Sequence, residues 1–189
     1  MQWIIEMSYE VVDILHDKDL LRDVTKQAAQ LHPENFQYFE NRIPGYTHFF
    51  IVKLNGELVA MSGIWRCNKW PENYYRVADR SFYFPNIREV NISSTYKKQG
   101  SAICSHMLIP LQTKIVLDLN GLPFYSMLNH PNALKKSVER LNKVSEHKYK
   151  VLDGLYWTCP EQVDYNHKGC WQNVAVLENI DQWDLPKYE

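Results

Sequence analysis

The chain has 189 residues, 45% hydrophobic and 23% charged, which suits one globular domain spanning residues 1–189 with a core of its own. Lys plus Arg (21) nearly balance Asp plus Glu (22), for a formal charge of -1. The basic field of a nucleic-acid binder is therefore not expected. No apolar run reaches membrane-spanning length, and the opening Met1-Gln-Trp-Ile-Ile-Glu-Met has no basic leader with a cleavage site. These features predict a soluble, cytoplasmic protein with neither a membrane nor a nucleic acid as partner.

In chain order, residues 3–15 are β-branched and mixed in pattern, and a first strand is expected within them. From 18 to 31, Leu20, Leu21, Val24, Ala28 and Leu31 recur at helical spacing and stop before His32-Pro33. Residues 33–41 suit a second, short helix. Residues 47–54 and 57–66 are strand-like runs separated by Asn55-Gly56, the dipeptide preferred in a type I′ hairpin. The aromatic stretch 70–84 fits a loop, a strand or both, and 87–92 reads as a strand. A helix is expected from 99 to about 119, kinked or divided at Pro110. A short strand at 124–128 leads into an amphipathic helix at 130–144, with Pro131 in its first turn and a Leu134, Val138, Leu141 stripe. Residues 148–158 and 170–178 read as two late strands. Helices and strands alternate only in the second half, which predicts a mixed sheet with helices on both faces.

The four cysteines (Cys67, Cys104, Cys159, Cys170) are scattered, and the seven histidines form no HExxH-type pair, so no metal site is expected. Cys159 and Cys170 could pair across the late strands, but free thiols in a reducing compartment are the simpler reading. The segment richest in chemistry is Glu89-Val-Asn-Ile-Ser-Ser-Thr-Tyr-Lys-Lys-Gln-Gly-Ser-Ala-Ile. A strand ends, a small polar loop follows, and a helix begins near Gly100. Such a loop can aim backbone N–H groups at a phosphate, with the helix dipole and Lys97 and Lys98 adding positive charge. A solvated turn would look the same.

The run Lys97-Lys98-Gln99-Gly100-Ser101-Ala102 resembles the acyl-CoA pyrophosphate loop of the GNAT (GCN5-related N-acetyltransferase) superfamily, Arg/Gln-x-x-Gly-x-Gly/Ala. Lys97 is a departure, because lysine keeps the charge but loses the planar fork. Downstream, Asn129 and the pair Asn132-Ala133 resemble the Asn that this family places between a strand and the following helix, within reach of the coenzyme. Asn132 is the first candidate and Asn129 the second; a helix N-cap is the alternative for either, and for Asn129 an equal one. The resemblance implies an α/β (α+β) fold: a mixed, mostly antiparallel sheet of about seven strands flanked by about four helices. It implies acetyl-CoA or another acyl-CoA as co-substrate and no metal. A small-molecule or peptide amine is the implied acceptor, and a homodimer is a permitted assembly. Val90, Asn91 and Ile92 would hold the pantetheine arm, and Glu89 would be the base. The family often takes its acid from a Tyr in the helix after the Asn, but here that stretch is Lys135-Lys-Ser-Val-Glu-Arg140. Tyr125 on the preceding strand is the substitute candidate. A non-catalytic ligand-binding module and a protein-interaction domain using the aromatic stretch 70–84 are the competing functions.

Overall fold

The computed structural model describes residues 2–6, 9–36, 39–66, 72–84, 107–126, 131–152, 174–180 and 183. The N-terminal stretch forms two strands rather than one. β1 (Gln2–Glu6) and β2 (Tyr9–Asp13) pair as an antiparallel hairpin, closing at Glu6 opposite Tyr9. No Gly, Pro or Asn marks that reversal, so the stretch reads as one strand.

α1 (Lys18–Leu31) has the expected bounds. Asp17 caps its start by accepting from the Leu20 N–H at 3.1 Å, and the His32 N–H closes its end on the Ala28 carbonyl. Two single-turn helices follow, α2 (Pro33–Phe36) and α3 (Phe39–Arg42). β3 (Tyr46–Leu54) and β4 (Glu57–Trp65) form the hairpin announced by Asn55-Gly56. Both turn residues take positive φ, 51° and 82°, as a type I′ turn requires.

The aromatic stretch resolves into a long inner strand, β5 (Tyr74–Tyr83), while the strand expected at 87–92 lies outside the described residues. A π-helical turn at 107–108 runs into α4 (Ile109–Asp118), with Pro110 in the first turn of the α-helix; residues 99–106 of the expected helix lie outside the described ones. β6 (Leu122–Tyr125), α5 (Pro131–Val144), β7 (Tyr149–Leu152) and β8 (Val174–Leu177) complete the described elements. Cys159 and Cys170 fall outside them.

The described sheet has eight strands in the order β1-β2-β3-β4-β5-β6-β8-β7, antiparallel throughout except between β5 and β6. This is the mixed, mostly antiparallel architecture that the resemblance implies, with β1 as an added edge strand. Helices cover both faces. On one, Leu21, Val24 and Ala28 of α1 with Phe36 and Phe39 pack on Phe49, Ile51, Met61 and Phe82. On the other, Ile109 and Val116 of α4 and Leu134, Val138 and Leu141 of α5 pack on Phe50, Val52, Val77 and Tyr125. All four residues of β8 are buried, Val174 and Val176 toward α1 and Ala175 and Leu177 toward α5. An inner strand covered on both sides must be apolar throughout.

Candidate functional site at the parting of β5 and β6

β5 and β6 pair over three rungs only: Tyr74 with Leu122, Tyr75 with Pro123, and Arg76 with Phe124. β6 ends at Tyr125, whereas β5 runs on to Tyr83, paired among the described residues with β4. Beyond Arg76 the two parallel strands are no longer paired with each other among the described residues. In β5 the register against β4 slips twice, between Met61 and Gly63 and again between Gly63 and Trp65. Ala78 (φ 57°) and Arg80 (φ 51°) carry the distortion. Non-glycine residues take such angles only where the surroundings hold them, and here both faces of the sheet do so.

On the α1 face, Asp79 is thrown inward and is fully buried. Its Oδ1 accepts from Arg42 Nη2 at 2.7 Å and Arg76 Nη1 at 2.9 Å, and its Oδ2 accepts from the Tyr46 hydroxyl at 2.5 Å. Arg42 also lies over the Trp65 ring, 3.8 Å from the centroid, and the Trp65 indole donates to the Arg42 carbonyl at 3.2 Å. Burial alone would raise the Asp79 pKa, but Arg42, Arg76 and Arg80 outweigh it and hold the carboxyl well below its usual range. Burial, reinforced by the Asp79 charge, pushes the Tyr46 phenol up, so it remains a donor. Every oxygen of this carboxylate is partnered.

On the α4 face, the bulge leaves the Ala78 N–H outside the ladder. Gln112 Oε1 accepts it at 2.6 Å. Gln112 is 0% exposed, and its Nε2 makes no hydrogen bond. Nearby on β6, Tyr125 is 2% exposed and packs edge-on against Tyr149, ring centroids 5.2 Å apart. Burial pushes the Tyr125 phenol up, the adjacent Ser137 hydroxyl opposing slightly, yet its oxygen makes no well-aligned hydrogen bond. Tyr149 differs, because its hydroxyl is satisfied by Thr113 at 2.6 Å. Among the described residues, the Gln112 NH2 and the Tyr125 hydroxyl thus lack an aligned partner beside the end of the β5–β6 pairing. Buried polar groups are normally paired, so a polar ligand fits this place.

Of the residues marked out by sequence, Tyr125 and Asn132 are described: Tyr125 is enclosed beneath α5, and Asn132 is exposed in the first turn of that helix. Glu89, Val90, Asn91, Ile92, Lys97, Lys98, Gln99, Gly100, Ser101, Ala102 and Asn129 lie outside the described residues. Along the chain, 97–102 fall in the crossover between β5 and α4, and 129 falls between β6 and α5. Both stretches follow the carboxyl ends of the two parting strands. Sequence reasoning passes over Asp79, Arg42 and Gln112. A signal exists: Arg76, Asp79 and Arg80 interrupt an otherwise apolar strand, and Gln112 falls on the apolar stripe of Ile109 and Val116.

At the other end of β5, Arg66, Glu72, Asn73, Tyr75 and Leu119 line an open groove of about 390 Å³. Among the described residues no group of three His, Cys, Asp or Glu could hold a metal, and no helix is long and apolar enough to cross a membrane. No protein-family model and no curated protein matches the chain. Among solved structures it is similar to an acetyl transferase of Salmonella typhimurium that modifies the N-terminal serine of 50S ribosomal subunit protein L7/L12. The two share 11% identity over 94% of this chain and 97% of that one, with a TM-score of 0.40.

Proposed function

We propose that this protein is an acyl-CoA-dependent N-acyltransferase passing an acetyl group to a primary amine of a small molecule or peptide. One observation carries the reading. The described sheet has a single parallel pair, its strands part after three rungs, and the chain leaves their carboxyl ends into the two segments that resemble coenzyme-binding motifs. Crevices at the carboxyl ends of parallel strands are where sheets of this kind take ligands.

When bound, the acyl-CoA supplies a thioester carbonyl that an amine nitrogen can attack, breaking the carbon–sulfur bond. The chain has four tasks. Lys97 and Lys98, with the backbone of 99–102, neutralise and hold the pyrophosphate. Asn129 or Asn132 bonds the arm. Glu89 takes the proton that the attacking ammonium must lose. Tyr125 gives a proton at the sulfur. A buried phenol with a raised pKa keeps its proton at neutral pH and yields it only to a strongly basic group.

A second reading, a non-catalytic module that binds the same ligand, is favoured by the enclosure of Tyr125 and by the absence of any Tyr in α5. The interaction-domain reading has less support: among the described residues of 70–84, Tyr74, Val77 and Phe82 are buried and Tyr83 is exposed, at 49%. Calorimetric titration with acetyl-CoA, repeated on Gly100→Glu, tests the proposal. Micromolar binding that the variant abolishes, followed by thiol release with amines, supports the enzyme. Binding without release under any amine supports the module, and no binding removes both.

A further inference from the structure

Gln112 has a divided task. The Ala78 N–H can face only an acceptor, so the amide oxygen must point at β5 and the NH2 group is fixed on the other side. That NH2 is fully buried and donates to nothing. A buried donor left unmade destabilises a fold, and an amide whose oxygen is already accepting is a somewhat stronger donor. The register supplies the location. Since Arg76 pairs with Phe124, Ala78 stands level with Ser126, the first residue beyond β6. Gln112 therefore meets β5 at the rung where its partner strand has just stopped. It occupies the backbone donor that the bulge exposes and carries a donor of its own at the same rung.

We infer that Gln112 is a ligand-binding residue whose Nε2 donates to a carbonyl oxygen of an acyl donor lying along β5 at the Ala78 rung. This rests on the acyl-CoA reading above. The side chain has two separable functions, and two substitutions separate them. Gln112→Glu, studied at pH 8, keeps an oxygen for the Ala78 N–H but replaces the NH2 with a second acceptor. Gln112→Met keeps the length and removes both.

The experiment is calorimetric titration of the wild type, both variants and Gly100→Glu with acetyl-CoA, with melting temperatures in parallel. The inference predicts that Gln112→Glu melts below the wild type, because it buries a carboxylate, and binds at least about tenfold more weakly, because a ligand carbonyl desolvated in a buried site then meets no donor. Gln112→Met is predicted to bind as weakly and also to melt below the wild type. If Gln112→Glu does not fold, the Gln112→Met affinity decides the same question. Wild-type affinity in the folded variants, with binding abolished by Gly100→Glu, would leave the donor site in place and overturn the role of Gln112. Failure of the wild type itself to bind would remove the acyl-CoA reading and this inference together.

Discussion

β5 is gripped from both faces of the sheet, and the two grips differ in one respect. Toward α1, the Asp79 carboxylate is saturated: two guanidinium groups and a phenol fill both oxygens. Toward α4, Gln112 spends its oxygen on the backbone and keeps a donor, and Tyr125 keeps a hydroxyl. The same distortion, the bulge at 78–80, is served by both. A carboxylate with both oxygens engaged fixes geometry, whereas a buried amide whose NH2 is uncommitted has capacity for a partner. On this view the Asp79 cluster is the foundation of the site and the Gln112 side is its lining.

Substitutions can break this contrast. The largest effect is expected from Asp79→Ala, which removes the buried carboxylate that the Arg42 and Arg76 guanidinium groups share and should cost about 3–5 kcal/mol in urea unfolding. Acid provides an independent view of the same group. The folded Asp79 carboxyl is held below its usual range. Its contribution is therefore complete above about pH 4 and is lost as pH falls below that. Wild-type stability should decline through that window, and an Asp79→Asn variant should lose part of the decline. Equal slopes in the two proteins would show that Asp79 is not the group responsible.

Gly63→Ala probes the same foundation sterically. A Cβ there would come within 2.6 Å of the Tyr46 ring and 2.8 Å of Phe49. Overpacking of this kind should cost about 1–3 kcal/mol. The two tyrosines sharpen the comparison further. Tyr46→Phe removes a bond to a carboxylate and should cost about 1–3 kcal/mol, while Tyr125→Phe removes an unpartnered hydroxyl and should change stability by less than about 1 kcal/mol. If Tyr125 acts as the acid, the second variant should lose turnover with an unchanged affinity for acetyl-CoA. Reversal of that stability order would contradict the division between foundation and lining.

The elements legible from sequence are those fixed by neighbours in the chain. Asp17 and His32-Pro33 bound α1, Asn55-Gly56 bends the β3–β4 hairpin, and the Leu134, Val138, Leu141 stripe seats α5. The β1–β2 reversal carries no turn signal, so it reads as one strand. β5 is half-legible, because aromatic residues alternate with Arg76, Asp79 and Arg80 and neither a clean strand nor a loop pattern results. Those charges make sense only with Arg42 and Tyr46, more than 30 positions away and on other elements. Gln112 is legible only once the bulge frees the Ala78 N–H. The coenzyme motif, in contrast, is a local pattern of residues, and its reading still rests on the sequence of 97–102.

The central claim is that an acyl donor lies along β5 where its pairing with β6 ends, and a nitrogen-15 NMR titration with acetyl-CoA tests it most directly. The account predicts shifts at the backbone amides of 77–80 and 125–126 and at the side-chain amide of Gln112, with the β3–β4 turn unmoved. Shifts confined to the groove of Arg66, Glu72, Asn73, Tyr75 and Leu119 at the opposite end of β5, or no shifts at all, would contradict it.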